Sequence, residues 1–492
     1  MLSLNTIRGR CILLAILVLI AGLGAEAQSD GATQDPDSAQ SSDSNQQQPN
    51  APAEQESDSQ IPPYRSNPPI VGLHFPTPPP SGAENRSYLL PGAQFAAGIN
   101  GTEPDGFGHS NYYGTTRGLG SLSLQKLWHR YDLDLDYLGG VAYLGYRSLQ
   151  HALLQSLDAE QHISWRTGQF AIRDSFTYLP DGNFGAGAYG GIAALSNLGS
   201  GEGGLVGLGI FSPGQFGSLG EQPRITNVAL ADVTQYFSPK SSVFAAGSYG
   251  FVHFTGGDYQ LINSQQVVAE TAYNHQLNRK NQIAVFYGYQ LFRFPSLPAN
   301  TLLPFRSKRD IETNLVNLLF GHRVNDRMEF IAGAGPQFTD IQNPLLGHVH
   351  RFTVSGRASL KYRLRTTELF GSFARYNTNG SGLFGGATTN LVRFSANRPF
   401  RRVWLGVLDV GYTHNRALVN FFGSQNLVYE YAYAGGGLHR QLGREFSAFV
   451  TYQFGNLHFN NTFCLTNSCG RLSQREVALI GLDWHPHPIR LD

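Results

Sequence analysis

A chain of 492 residues with 36 basic and 35 acidic side chains has a formal net charge of +1, so it offers no basic excess for binding a nucleic acid. Only 14% of the residues are charged, whereas 57 are glycines and 12% are aromatic, a composition unlike that of most soluble domains. Beyond the N-terminus no run approaches the roughly twenty apolar residues of a membrane-spanning helix, which excludes helical spans.

The N-terminus has the pattern of a secretory signal peptide. Arg8 and Arg10 precede an apolar run over residues 11–23, and a small-residue cleavage site, Ala-Glu-Ala, follows at residues 25–27. We therefore expect residues 1–27 to be removed on export.

The segment that follows, residues 28–84, is predicted to be a disordered tail. Its first part, residues 28–60, holds seven acidic residues and no Lys or Arg, with almost no large apolar side chain. Such a segment cannot bury enough apolar surface to offset its ordering entropy. The proline-rich stretch at residues 61–80 favours an extended spacer. The folded part is therefore predicted to be residues 85–492.

The folded part is dominated by alternation of apolar and polar residues. Segments of about ten residues with period two, such as NQIAVFYGYQL, SVFAAGSYGF and VWLGVLDVGYTH, are divided by turn residues, a pattern typical of outer-membrane barrels. Short, often basic turns lie at Trp128-His129-Arg130, Trp165-Arg166-Thr167, Ser238-Pro239-Lys240, Asn278-Arg279-Lys280, Asn325-Asp326-Arg327, residues 363–366, residues 399–402 and Gly443-Arg444. Longer connections, rich in Gly, Asn, Pro and Ser, alternate with them. Tight periplasmic turns and long outer loops produce this asymmetry.

Eight tight turns predict eight hairpins, and a strand at each end completes the count. Residues 87–99 fit a first strand and residues 473–485 fit a last one, so the sequence predicts an antiparallel transmembrane β-barrel of about eighteen strands with both termini periplasmic. Sixteen strands is the alternative. A barrel of eighteen strands encloses an aqueous channel unless a segment plugs it.

The four tryptophans support this arrangement independently. Trp128, Trp165, Trp404 and Trp484 all lie within a few residues of a predicted tight turn or of the same end of the last strand. Tryptophan prefers the membrane interface, where its ring is buried and its N–H is hydrated. We therefore predict that the four form a belt at the periplasmic interface.

Two charged rows are predicted to line the pore. In residues 131–137, three aspartates alternate with leucines and tyrosines, and in residues 351–365, basic residues alternate with apolar ones. Because a charge that faces lipid is costly, the predicted pore-lining residues are Asp132, Asp134, Asp136, Arg351, Arg357 and Lys361. The two rows fall on the third and twelfth strands, which are opposite each other in a ring of eighteen. Either they set up a field across the lumen, or they are solvated or pair with neighbours such as Arg173, Arg130 or Asp409 and merely keep the lumen hydrated.

Other candidate sites are weaker. Cys464 and Cys469, in an exported chain, are predicted to form a local disulfide, and no second ligand pair nearby supports a metal site. The Gly-rich loop over residues 179–223 matches no phosphate-binding motif and either caps the outer mouth or folds into the lumen. His253, near Ser248, is a candidate by residue type only for a lipid hydrolase, as is His414. We expect no enzyme and no cofactor.

Several motifs resemble those of a known family. The segments SLSLQKLWHRYDLDLDYLGG, DSFTYLPDGNFGAG and GSGLFGGATTNLVRFSANRPFRRVWLGVLDVGYTHN resemble uncharacterised outer-membrane β-barrel proteins of acidobacterial type. The resemblance runs from about residue 89 to the end and rests on aromatic-basic turns and Gly-rich loops. It implies an outer-membrane location and names no substrate. In one departure, Trp484 is followed by HPHPIRLD, whereas such barrels often end on an aromatic residue that the barrel-assembly machinery reads.

The sequence thus predicts a porin-like passive diffusion channel for small solutes. The alternative is a structural or export-accessory barrel without an open pore, which binds periplasmic partners through the N-terminal tail. An outer-membrane lipid hydrolase is a remote third. The expected surroundings are outer-membrane lipid and the assembly machinery, and the oligomeric state is left open.

Overall fold

The computed structural model describes the strand-forming part of the chain. It describes residues 87–103, 111–144, 151–179, 224–255, 262–295, 309–343, 347–380, 385–400, 403–418, 427–460 and 472–491. The predicted signal peptide, acidic tail and Cys464–Cys469 disulfide lie outside these residues, as does nearly all of the loop over residues 179–223. None of the described residues belongs to a helix that is long and apolar enough to cross a membrane.

The described residues form β-strands throughout. In chain order these are β1 (Tyr88–Glu103), β2 (Asn111–Leu127), β3 (Tyr131–Leu144), β4 (His151–Trp165), β5 (Gly168–Leu179), β6 (Arg224–Ser238), β7 (Ser241–Phe254), β8 (Ser264–Gln276), β9 (Asn281–Phe294), β10 (Arg309–Asn325), β11 (Met328–Asn343), β12 (Gly347–Arg363), β13 (Glu368–Thr378), β14 (Ala387–Phe400), β15 (Trp404–Ala417), β16 (Val428–Gln441), β17 (Phe446–Phe459), β18 (Leu472–Trp484) and β19 (Ile489–Arg490).

The strands close into a barrel. Each of the eighteen long strands pairs antiparallel with its neighbours in sequence, and β1 pairs with β18 from Ala93–Trp484 to Glu103–Gln474, which closes the ring. All eight predicted tight turns join consecutive strands at one end of the barrel, which we call the turn end. The opposite, loop end carries the longer connections. The predicted eighteen-stranded barrel is therefore confirmed.

The two terminal strands differ slightly from their predicted limits. The first strand continues to Glu103 rather than ending at Ile99, because residues 100–103 still pair with β18. The C-terminal residues after Trp484 add a short strand of their own, in which Ile489 and Arg490 pair with the start of β1. The sequence HPHPIRLD thus stays attached to the barrel wall.

Alternating burial assigns the two faces of each strand. On β9, Phe286 and Phe292 are fully buried on the inner face, whereas Val285 and Tyr287, on either side of Phe286, are 50% and 42% exposed on the outer face. The same outer face carries exposed leucine, isoleucine, valine and aromatic side chains on most other strands. A closed barrel with an apolar outer surface is the β-structure that a lipid bilayer accepts. The protein is an outer-membrane β-barrel.

One junction in the ring is incomplete. Strand β12 pairs with β13 only from Gly356–Arg375 to Arg363–Glu368, whereas its pairing with β11 continues to Gly347. Beyond Arg375, β13 remains paired with β14 and bends into the barrel. In the loop half of the barrel, the β13–β14 hairpin therefore lies inside the wall that β10, β11 and β12 form.

Apolar side chains fill much of the inner face near this hairpin. One cluster joins Ile262, Phe292, Phe294, Ile311, Ile341, Tyr376 and Leu418, and a second joins Leu230, Phe244, Ala272, Ala284, Phe286, Leu315 and Leu319. Barrel interiors of this size are generally polar. The turn half of β3–β6, in contrast, carries charged inner residues, which form the candidate site.

Candidate functional site

The three aspartates of β3 lie on the inner face, as the alternation predicts. Asp132, Asp134 and Asp136 stand directly opposite His162, Glu160 and Asp158 of β4. Directly opposite residues of an antiparallel pair share a face of the sheet. Two strands further along, Asp232 of β6 lies on that face and is almost fully buried. We call Asp132, Asp134, Asp136, Asp158, Glu160 and Asp232 the acidic wall.

One arginine lies within the acidic wall. Arg173 of β5 donates hydrogen bonds to Glu160 and, over 2.8 Å from Nη1 to Oδ1, to Asp232. His162 approaches Glu160 as well, at 2.6 Å from Nε2 to Oε1. Arg173 thus pairs with acids of β4 and β6 rather than with the aspartates of β3. The expectation that it neutralises the β3 row is wrong, because the register places Glu160 directly opposite it.

The acidic wall is larger than the sequence prediction. Asp158, Glu160 and His162 repeat on β4 the every-other-residue spacing of the β3 aspartates, so the signal was present in LLQSLDAEQHISW. Asp232 is a lone acid in an apolar segment, and only the pairing of β5 with β6 brings it to Arg173. Six carboxylates therefore share this part of the wall with one guanidinium group.

The predicted basic row lies on the inner face of β12, but its members have separate surroundings. Lys361 forms an ion pair with Glu368 of β13, with 3.2 Å between Nζ and Oε1. The guanidinium of Arg357 lies over the ring of Phe286 on β9, with 5.5 Å between Cζ and the ring centroid. Arg351 lies higher, in the loop half, where β12 no longer pairs with β13.

The third and twelfth strands are opposite each other, as predicted, because they are nine positions apart in the closed ring of eighteen. The charged residues of the two strands lie at the same height above the turn end only in part. The aspartates of β3 begin one residue from the tight turn, and Lys361 and Arg357 are two and six residues from the turn end of β12. Arg351 is twelve residues from that end. At the level of the acidic wall, the opposing positive charge thus comes from two residues.

A further inner ion pair was not predicted. Arg393 of β14 donates two hydrogen bonds to the carboxylate of Asp409 on β15, each 3.0 Å long, and both side chains are largely buried. This fork-to-carboxylate geometry is the strongest arrangement for such a pair. Asp409 is therefore neutralised locally and does not face either predicted row.

The structure also places Asp174, which breaks the alternation of β5, and the residues considered for a lipid hydrolase. Asp174 lies on the outer face of β5 and accepts a hydrogen bond of 3.0 Å from the Asn227 amide of β6. Ser248 and His253 lie on opposite faces of β7, so the strand does not bring them together for nucleophilic catalysis. His414 instead contacts Glu430, at 3.2 Å.

The four tryptophans lie at the turn end. Trp165, Trp404 and Trp484 are partly exposed on the outer face at strand ends, and Trp128 is half exposed in the tight turn after β2. Trp165 donates a hydrogen bond to Gln235, 3.1 Å away. The interfacial belt remains our prediction for this rim.

No family model matches the chain, and no curated protein is similar to it, so its kinship with acidobacterial barrels stays a prediction. Solved structures of outer-membrane proteins match it at low identity. Acinetobacter baumannii OccAB2 has 10% identity over 81% of this chain and 98% of that chain, with a TM-score of 0.41. Pseudomonas aeruginosa OpdK with vanillate has 11% identity over 80% and 99%, with a TM-score of 0.40. The unliganded ferric citrate transporter FecA has 10% identity and a TM-score of 0.40, and the match covers 80% of this chain but only 64% of FecA. These values carry no conclusion about function.

Proposed function

We propose that this outer-membrane barrel is a passive diffusion channel for small solutes. The acidic wall supports the proposal. Six carboxylates share the inner surface with one arginine, and burying so large an excess of negative charge in a dry core would cost far more than a fold can supply. Asp136 and the Glu160 side chain, the latter 30% exposed, retain contact with solvent. A water-filled lumen in the turn half accounts for both facts.

The same charges define a selectivity. A passage lined by an excess of one sign concentrates counter-ions, so the channel prefers cations. The opposing basic row weakens this preference only in part, because Glu368 offsets the charge of Lys361 and Arg357 is one positive charge against six carboxylates. We therefore favour a net negative lumen over a field between two equal walls.

Conductance of the purified full chain in a planar lipid bilayer tests the proposal. A steady open pore, with a reversal potential that shows preference for K⁺ over Cl⁻ in a KCl gradient, is the expected result. A silent barrel would contradict it. A pore with preference for Cl⁻ would support the diffusion channel but contradict the proposal that the acidic wall determines its selectivity.

One observation favours a second candidate, a structural or export-accessory barrel without an open pore. The β13–β14 hairpin lies inside the loop half, where the Asn377 amide donates hydrogen bonds to Thr313 and Thr339 of the facing wall. A barrel that stays closed in this way would act through partners, including periplasmic ones that bind its N-terminal tail. Absence of conductance together with retention of an envelope protein on the immobilised full chain is the result that this candidate predicts.

A further inference from the structure

The barrel wall is interrupted between β12 and β13 in the loop half. We propose that this junction is a lateral portal, through which an amphiphile with an anionic head group passes between the interior of the barrel and the outer leaflet of the membrane. The inference rests on the proposed diffusion function and adds to it a class of solute and a route of entry.

The strand register shows where the wall ends. The last pair that joins β12 to β13 is Gly356–Arg375, and a continued register would next join Ser355 to Tyr376 and Val354 to Asn377. Within the described residues these pairs do not form. Among the described residues, the segment Gly347–Ser355 pairs with β11 alone, so one edge of β12 has no described neighbouring strand along nine residues.

The displaced end of β13 lies behind this edge, on its inner side. Asn377 belongs to the outer face of β13, because it pairs with Thr388 and alternates with the exposed Arg375. Its amide nevertheless donates hydrogen bonds of 3.1 and 2.9 Å to Thr313 and Thr339, which are buried on the inner faces of β10 and β11. The outer face of the hairpin thus packs on the inner face of the wall, and the two layers overlap.

The free edge lies at the depth of the membrane. Seven residues separate Gly356 from Arg363, and at about 3.3 Å per residue and a tilt of about 40° the pairing ends about 18 Å above the turn end. The apolar band of such barrels is about 25 Å tall. The outer side chains of β12 agree with this height of the apolar band. Val354 and Phe352 are exposed and apolar, and the next outer residue toward the loop end is the polar His350. The edge from Phe352 to Ser355 therefore faces lipid.

An unpaired strand edge at that depth is costly, because the hydrocarbon core of a bilayer offers no hydrogen-bond partner to a backbone N–H or C=O. A polar head group that enters the gap can accept or donate these hydrogen bonds. The hydroxyl of Thr353, on the inner side of the same segment, is also buried without a hydrogen-bond partner in the described part of the chain. The junction therefore offers unsatisfied polar groups to a ligand that arrives from the bilayer.

The chemistry around the junction indicates an anionic amphiphile. Arg351 lies on the inner face of the segment Gly347–Ser355, beside the gap between β12 and β13. A guanidinium group at this position favours an anionic head group, with which it can form charge-assisted hydrogen bonds. Immediately inside lies the apolar cluster that contains Ile341, Tyr376 and Leu418, which suits an alkyl chain.

The hydrogen bonds of Asn377 act as the latch of this portal, because they hold the two overlapping layers together. Two glycines with positive φ, Gly380 at 74° and Gly386 at 96°, follow β13 and precede β14. Gly385 approaches Arg309 so closely that a Cβ would lie 2.5 Å from its Cζ. Movement of the last residues of β13, Tyr376 to Thr378, away from the wall would open a path between the layers.

Photolabelling of the full chain tests the portal. The protein is reconstituted in vesicles of phosphatidylethanolamine and phosphatidylglycerol that contain a dodecyl phosphate with a diazirine at the end of its chain, and labelled residues are identified by mass spectrometry. We expect label on inner residues beside the junction, such as Val349 and Tyr376, and little on inner residues of the far wall, such as Leu138 and Ala142. The same chain with a trimethylammonium head should label the junction severalfold less.

Two variants sharpen the test. Asn377→Ala should raise labelling at the junction about fivefold, the factor expected when roughly one net hydrogen bond of the latch is lost. Asn227→Ala, which removes a hydrogen bond on the outer face of β6, is the matched control and should leave it unchanged. Label confined to outer-face residues, or spread evenly around the inner wall, would overturn the portal. Because labelling does not depend on ion conductance, a silent pore with a labelled junction would reject the diffusion channel and keep the portal.

Discussion

The turn half and the loop half of this barrel are formed by the same strands but differ in their strand pairing and in their inner surfaces. In the turn half the strands pair fully, the inner face carries an excess of carboxylates, and tryptophans mark the outer rim. In the loop half the ring is broken between β12 and β13, and aromatic and aliphatic side chains occupy the inner face. A charged inner surface in the turn half thus lies beside a packed apolar region in the loop half.

The packing of the loop half predicts the largest effect on stability. Phe294 is 1% exposed and stacks on Phe292, so Phe294→Ala should lower the free energy of unfolding by about 3–5 kcal/mol. Phe370, a half-buried inner residue near the tight turn of β13, is the matched control, and Phe370→Ala should cost clearly less. Reversible urea unfolding in lipid vesicles measures both. Equal losses would show that the two halves are packed alike.

The charge of the turn half predicts the largest effect on selectivity. Replacing Asp134, Asp136 and Asp158 by asparagine removes half of the acidic wall without changing side-chain volume, so the ratio of K⁺ to Cl⁻ permeability should fall severalfold. Reversal potentials in a KCl gradient measure the ratio. Asp174→Asn, which removes a carboxylate from the outer face, is the control and should have no effect. An unchanged ratio in the triple variant would place the ion path away from β3.

Neutralising the opposite wall should change selectivity less. In Arg351→Gln, Arg357→Gln and Lys361→Gln combined, one of the three positive charges is already paired with Glu368, and Arg351 lies above the acidic wall. We expect a shift toward cations that is smaller than the loss in the aspartate variant, measured in the same gradient. A shift of equal size would restore the hypothesis of a field between two matched walls.

The fold could be predicted from the sequence because the residue pattern within each strand identifies that strand and its two faces. Period-two alternation orients the side chains, and the basic or aromatic turn residues separate the hairpins, so strand count, faces and ring position follow from local signals. The side-chain contacts between neighbouring strands do not follow from such local signals. Glu160 meets Arg173 only through the register of β4 and β5. The end of the β12–β13 pairing at Gly356 has no local mark either, because the alternation on β12 continues unchanged through it.

The smallest effect concerns the ion pair of Lys361 with Glu368, and it tests the comparison between the halves most directly. The side chains are 24% and 43% exposed, so solvent screens their attraction, and a double-mutant cycle with Lys361→Gln and Glu368→Gln should give a coupling of about 0.2–1 kcal/mol. The buried pair Arg393–Asp409 provides the reference, because Arg393→Gln alone leaves a carboxylate with little access to water and should cost about 3–5 kcal/mol. A coupling for Lys361 and Glu368 as strong as that reference would mean that the turn half is dry at this height. The contrast between a hydrated and a packed region would then fail, and with it the main support for a diffusion channel.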